Sequence, residues 1–171
     1  MINFFQFIPD LQLIVLMHVA IASILSGIIG LERERSDKPA GIRTNMIVGG
    51  AVALLVSLGE IIHNHFIASG IAEYIQTDPT RIIQAIVVGV SFIGAGTVLQ
   101  VEKDYKIKYL TTAATILAST GIGIAVALRQ YFLAAGVTVI ILFINYVLGY
   151  ISAGWGDGKK RKRDEDGETN K

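Results

Sequence analysis

An all-α membrane protein, a bundle of five transmembrane helices with its N-terminus outside and its C-terminus inside, is the fold this sequence predicts. Three observations carry that reading. The 171-residue chain is 52% hydrophobic, with a mean hydropathy of +0.55. Its charges are segregated, since residues 11–31, 44–59, 82–101, 109–128 and 130–156 contain no Asp, Glu, Lys or Arg. The basic residues also alternate in density from one connection to the next. Crossing roughly 30 Å of hydrocarbon takes about 20 apolar helical residues, and four of the five windows meet that length unaided.

The first span covers residues 11–31. It is too long for the apolar part of a secretory signal, and Glu32-Arg33-Glu34-Arg35 stands where a small-residue cleavage site would be needed, so the helix is expected to stay in the mature chain. The second span is the short one. Its charge-free stretch from Thr44 to Gly59 must extend through Glu60, Ile61 and Ile62 to reach the far interface, giving a helix over 44–62. Glu60 then reads either as an interfacial acid in contact with water or, being a carboxylate at membrane depth, as a functional group. Residues 63–80 read as an external loop in which Phe66, Ile67, Ile71, Tyr74 and Ile75 form a short surface helix ending before Asp78-Pro79. His63 and His65, two residues apart, read as solvated loop residues rather than a metal pair. The third, fourth and fifth spans cover about 82–100, 109–128 and 131–151. The membrane domain thus runs over 1–156, and 157–171 reads as a disordered, charged cytoplasmic tail.

Orientation follows from Lys and Arg. Arg33, Arg35, Lys38 and Arg43 follow the first span, Lys103, Lys106 and Lys108 the third, and Lys159, Lys160, Arg161, Lys162, Arg163 and Lys171 the fifth, against Arg81 and Arg129 on the other side. Positive charge marks the inside. The cysteine-free chain excludes a disulfide scaffold, a thiolate zinc site and a cysteine nucleophile. A net charge of +1 with dispersed basic residues gives no basis for nucleic-acid binding. No nucleophile and base pair, ligand cluster or phosphate loop points to an enzyme, and no cofactor is expected.

Small residues recur every fourth position in three spans: Ala22, Ser26 and Gly30; Asn45, Gly49, Ala53 and Ser57; Thr111, Thr115, Ser119, Gly123 and Ala127. In lipid such stripes are where helices meet closely. The third span bunches its small residues instead, at Gly89 and then Ser91 to Gly96, which marks Gly89, Gly94 and Gly96 for close packing or for contact with a ligand. Within the first span His18 is the one ionisable side chain, read as a satisfied bundle residue.

The topology gathers four blocks at the cytoplasmic end: Gly30-Leu31-Glu32-Arg33, Ala40-Gly41-Ile42-Arg43-Thr44-Asn45, Phe92-Ile93-Gly94-Ala95-Gly96 and Leu110-Thr111-Thr112-Ala113-Ala114-Thr115. Pro39 and Gly41 in the connection make the first two spans a hairpin, with Gly30 and Gly41 as its close-packing glycines and Glu32 paired with Arg43 across it. Two helix N-termini, Arg43 and the hydroxyls of Thr44, Thr111 and Thr112 favour an anion there, though the threonines could equally cap their own helices. Magnesium would want several carboxylates and is disfavoured at this place. The external acids Glu60, Glu73 and Asp78 are the weak candidates for loose cation contact.

These same four blocks, in this order and spacing over residues 20–128, resemble the membrane domain of the MgtC/SapB family of bacterial inner-membrane proteins. The resemblance implies proteins tied to growth at low magnesium, acid stress and survival within host cells, acting as magnesium-transport accessories or as regulators of membrane energetics. Implied partners are the bilayer, another inner-membrane protein such as the proton-driven ATP synthase, and further copies of the chain. The positions it carries over are Glu32, Arg33, Gly41, Arg43, Thr44, Gly94, Gly96, Thr111 and Thr112. Many relatives add a soluble domain after the last helix, and the expectation is that its role is absent here or supplied by another chain. Two functions stay open: a non-enzymatic regulator working through the cytoplasmic cluster, and an oligomeric transporter of magnesium or another cation.

Overall fold

A computed structural model describes residues 4–70, 78–99 and 109–147. Among these residues there are five helices and no strand: α1 (Phe4–Arg35), α2 (Ile42–Ala68), α3 (Pro79–Leu99), α4 (Leu110–Ala127) and α5 (Tyr131–Val147). The first four are each long and apolar enough to cross a membrane. Residues 148–151 of the expected fifth span, Glu73, the lysines at 103, 106 and 108, and the tail at 157–171 lie outside the described residues. The chain forms two units, Met1–Thr138 and Val139–Lys171, and all the contacts below belong to the first.

Two helices run beyond the sequence reading: α1 covers Phe4–Arg35 where 11–31 is expected, and α2 continues past residue 62. Residues 63–68, with His63, His65, Phe66 and Ile67, continue α2 instead of entering a loop. Nothing between Glu60 and Ala68 breaks a helix. The stop comes at Ser69-Gly70, where Ser69 N–H and Oγ–H both donate to the His65 carbonyl and Gly70 takes φ +69°. The remaining residues of the expected surface helix, Ile71, Tyr74 and Ile75, lie outside the described residues.

α3 begins with a cap. Asp78 Oδ1 accepts from Thr80 Oγ1–H at 2.6 Å and from Thr80 N–H at 2.9 Å, and Pro79 takes the first helical position, where a missing N–H costs nothing. The Thr80 hydroxyl first, then its N–H and the Arg81 charge, hold the Asp78 carboxyl below its ordinary value of 3.8. A lowered folded value means that the cap's stabilisation is present above pH 3.8 and is lost as pH falls through the lower folded value. The stability difference between the parent chain and Asp78→Asn, read by thermal unfolding, should therefore be full at neutral pH and shrink on acidification. A difference independent of pH would remove the carboxylate from the account.

The bundle is built inside out relative to a water-soluble one. Small and hydroxylated residues, among them Ala22, Ser26, Ala53, Ser57, Thr115 and Ser119, share its interior with Ile29, Val52, Ile116 and Ile122, while Leu16, Ile24, Ile47, Phe92 and Phe132 face outward. That distribution is what lipid favours, since apolar side chains gain nothing by leaving hydrocarbon and backbones gain contact by approaching. The stripes of α1, α2 and α4 meet one another. A Cβ on Gly49 of α2 would lie 2.8 Å from Ser26 Cβ and 3.0 Å from the Ala22 carbonyl of α1, and a Cβ on Gly123 of α4 would lie 2.5 Å from the Gly49 carbonyl. Gly49 is therefore the crossing point of three helices. α3 is peripheral: only 11% of its apolar window is buried, against 56% for α4.

Candidate functional site

The loop from Ser36 to Gly41 turns the chain from α1 into α2 with Asp37 and Ala40 at φ +50° and +56°. Three contacts hold it. Lys38 N–H donates to the Arg33 carbonyl at 3.0 Å. The Glu34 carboxylate accepts from Ile42 N–H at 3.0 Å, so α2 is capped by a side chain of α1 and not by Thr44. Asn45 Nδ2 donates to the Ala40 and Gly41 carbonyls at 2.6 and 3.0 Å. Gly30 and Gly41 let the hairpin close, because a Cβ on Gly30 would sit 2.6 Å from Ile42 Cα, and one on Gly41 would meet Glu34 Oε2 at 2.6 Å.

Arg33 is the inward-facing charge of this end, 5% exposed. Its Nη2 donates to Thr112 Oγ1 at 2.8 Å and to Thr111 Oγ1 at 3.4 Å, tying the end of α1 to the first turn of α4. Beside it the fully buried Asn45 accepts from Ser119 Oγ–H at 2.8 Å, tying α2 to α4. Arg33, Asn45, Thr111 and Thr112 are thus brought together. Arg43 and Thr44 are not: both are exposed, and they line an open groove of about 540 Å³ together with Glu34, Asp37, Lys38 and Tyr109.

Two expectations are corrected here. Glu32 does not pair with Arg43; it accepts from Ser36 Oγ–H at 3.2 Å, and the ion pair among the described residues is at the opposite end of the bundle. Helix geometry gives the reason. Two positions apart on α2 means nearly opposite faces, so with Asn45 turned into the bundle Arg43 must point away from it. The glycines of α3 also differ from expectation. A Cβ on Gly94 would lie 3.4 Å from Ala113 Cβ, an ordinary contact, while Cβ atoms on Gly89 and Gly96 would have nothing within 4 Å. Their cluster lies on a helix with one packed side, which periodicity alone could not orient.

At the other end, His18 of α1 is 2% exposed, with Nδ1 3.3 Å from Ser57 Oγ of α2 and Nε2 3.0 Å from Tyr131 OH of α5. A neutral imidazole offers one donor and one acceptor, and two hydroxyls can match either tautomer. Nearby, Glu60 meets Arg129 at 3.7 Å, both about half exposed. Arg129 sits at φ +61°, just past the end of α4, which turns its side chain toward α2. Ser57 is legible by counting depth from the hairpin, since His18 and Ser57 lie similar numbers of residues from Arg35 and Ile42, whereas Tyr131, on a different helix, is not. Tyr131→Phe should lower stability by about 1 kcal/mol, the usual worth of a side-chain bond between membrane helices, in denaturant unfolding of the detergent-solubilised chain. An unchanged midpoint would show that the bond is not maintained.

Of the weak cation candidates, Glu60 is engaged by Arg129, Asp78 caps α3, and Glu73 is outside the described residues. Among the described residues no three His, Asp or Glu side chains come together as a metal-binding group.

Long apolar helices packed through small-residue faces, with charge confined to the bundle ends, define a multi-pass helical membrane protein. Residues 19–153 match the model of the MgtC family, and the chain belongs to that family. It is 36% identical over 157 residues to an uncharacterized protein of Haemophilus influenzae, covering 92% of this chain and 64% of that one. It is 33% identical over 133 residues to the protein MgtC of Salmonella typhimurium, covering 78% and 52%. It is also 33% identical over 130 residues to YhiD of Escherichia coli K12, whose name proposes magnesium transport, covering 75% and 58%. The chain thus spans about half to two thirds of the length of these curated relatives. No solved structure matches it. The chain is a multi-pass protein of the bacterial membrane.

Proposed function

We propose that the chain is a non-enzymatic regulator in the bacterial inner membrane, acting through the polar cluster at the Arg33 end, which faces the cytoplasm. The observation that carries this reading is the closed middle of the bundle. Between the Arg33 end and the His18 end, α1, α2 and α4 touch through Ala22, Ser26, Gly49, Ala53, Ser119 and Gly123, all buried and uncharged. A transport path wants polar or charged groups at mid-depth and room beside them. What the chain offers a partner instead is the open groove beside the hairpin, with its exposed Lys38 and Arg43. Adaptation to low magnesium or acid stress, through contact with another inner-membrane protein such as the ATP synthase, is the setting we assign to it.

The second reading is a magnesium or other cation transporter working as an oligomer. It is favoured by the name of the Escherichia coli relative and by the outward face of α3, where Val88, Phe92 and Ile93 are more than half exposed. Reconstitution into liposomes separates the two. The regulator should give no magnesium flux above protein-free vesicles, and flux that saturates with magnesium would overturn it.

A further inference from the structure

A helix start carries N–H groups without intrahelical partners and the positive end of the helix dipole. At α2 the Glu34 carboxylate meets that end, and at α3 the Asp78 carboxylate does. Among the described residues no side chain caps α4, and its first turn holds no acid. What lies against it is a cation. Arg33, nine-tenths buried and more, reaches the hydroxyls of Thr111 and Thr112 in that turn, and its buried Nε has no hydrogen-bond partner. The neighbouring Glu32 acts on the guanidinium through space. Two hydroxyls satisfy part of the guanidinium's geometry but none of its charge. A buried cation set against the positive end of a helix reverses the usual arrangement, in which buried charges are paired and helix N-termini receive anions.

We infer that Arg33 and the N-terminal turn of α4 form a binding site for a phosphate group, carried on a lipid headgroup or free in solution. A phosphate offers several acceptor oxygens at once, enough for the helix N–H groups, the Thr111 hydroxyl and the unpartnered Nε of the guanidinium fork. Position agrees with chemistry. Arg33 closes the apolar span Asp10–Arg35 and Thr111 opens the span Leu110–Ala127, which sets the site at the edge of the hydrocarbon, the level of headgroup phosphates. Tyr109, the residue before the turn, lines the groove that also carries Lys38 and Arg43, so the groove ends next to the turn. The inference rests on the reading of this end as the place where the protein meets its ligand or partner.

The test takes the full chain in an uncharged detergent. Inorganic phosphate is titrated in by calorimetry, and separately phosphatidylglycerol is compared with diacylglycerol, which lacks the phosphate, by native mass spectrometry. Saturable binding is expected in at least one arm, with Arg33→Gln weakening it about tenfold or more, as loss of a charge-assisted bond requires. Binding in the calorimetric arm assigns free phosphate, and binding in the lipid arm assigns the headgroup. Because Arg33→Gln could also loosen α1 from α4, a second variant leaves Arg33 in place: Tyr109→Asp sets a carboxylate at the start of α4, as Asp78 does at α3. It should abolish binding while the helical circular dichroism is retained, whereas Arg81→Gln, at the start of α3, should leave binding unchanged. No binding in either arm, or binding indifferent to both Arg33→Gln and Tyr109→Asp, overturns the site. Magnesium flux in liposomes would defeat the regulator reading and leave these titrations standing, so the two failures are distinguishable.

Discussion

Gly49→Ala and Gly123→Ala should each destabilise the bundle by about 1–3 kcal/mol or more, the cost of inserting a methyl group into a packed contact. Gly96→Ala should instead be neutral, or stabilise by up to about 1 kcal/mol through helix propensity. The contrast follows from what each new methyl would meet. At Gly49 the obstacles are Ser26 Oγ, Ser26 Cβ at 2.8 Å and the Ala22 carbonyl at 3.0 Å. The hydroxyl can rotate, but Cβ and the carbonyl move only with α1. At Gly123 the obstacle is the Gly49 carbonyl at 2.5 Å, backed by Val52 Cβ at 2.9 Å. Either methyl therefore forces apart helices that are already joined at a single crossing point, and relief at one contact strains the other. At Gly96 nothing stands within 4 Å. Unfolding of the detergent-solubilised variants by increasing sodium dodecyl sulfate reads the difference, and a Gly49→Ala variant as stable as Gly96→Ala would show that the three helices are not in backbone contact.

The stripes that carry this prediction were legible in the sequence because a four-residue repeat of small residues survives projection onto a helix whatever the neighbours are. Ser26, Gly49, Ser119 and Gly123 are legible in that way, while the spans are legible from charge segregation and the hairpin from Pro39 and Gly41. The hairpin's inner wiring was not. Glu32, Arg33 and Glu34 are consecutive, and which of them turns inward depends on the rotation of α1 about its axis, a quantity fixed by packing against α2 and α4. Arg33 faces in, Glu34 reaches across to Ile42, and Glu32 turns to Ser36. The extent of α2 is hidden from the sequence for a different reason. A charged residue such as Glu60 ends a hydrophobic window without ending a helix, and the stop signal was the Ser69-Gly70 pair nine residues later. The glycines of α3 carry no orienting information by themselves, since a helix with one packed side presents some of them to the outside.

Asn45→Asp should be the most damaging change that leaves the shape of the interior intact. The two side chains are nearly isosteric, so no cavity opens and no methyl intrudes, and whatever changes is the hydrogen-bonding chemistry. Asn45 is fully buried and uses both ends of its amide. The Oδ1 accepts from Ser119, a role that a carboxylate oxygen keeps. The Nδ2 donates at 2.6 and 3.0 Å to the carbonyls of Ala40 and Gly41, and a carboxylate there would set its lone pairs against theirs. Those carbonyls belong to the strained part of the hairpin, where Ala40 is held at φ +56°, a conformation that costs a non-glycine residue about 1 kcal/mol. Losing the two donors thus leaves the part-buried Ala40 carbonyl without its amide and the Gly41 carbonyl with only the Asn45 N–H, and frees the loop from the contact that offsets its strain. A loss of about 3 kcal/mol or more is expected for a buried charge facing acceptors, read as a lower unfolding midpoint, together with faster tryptic cleavage after the exposed Arg35 at the start of the loop. Asn45→Gln tests the same point from the other side, since it keeps the amide on a longer arm and should recover part of the loss. If Asn45→Asp matched the parent chain in both measurements, the hairpin would have to be held by Glu34 and Arg33 alone, and the amide would be a passenger in the interface between α2 and α4.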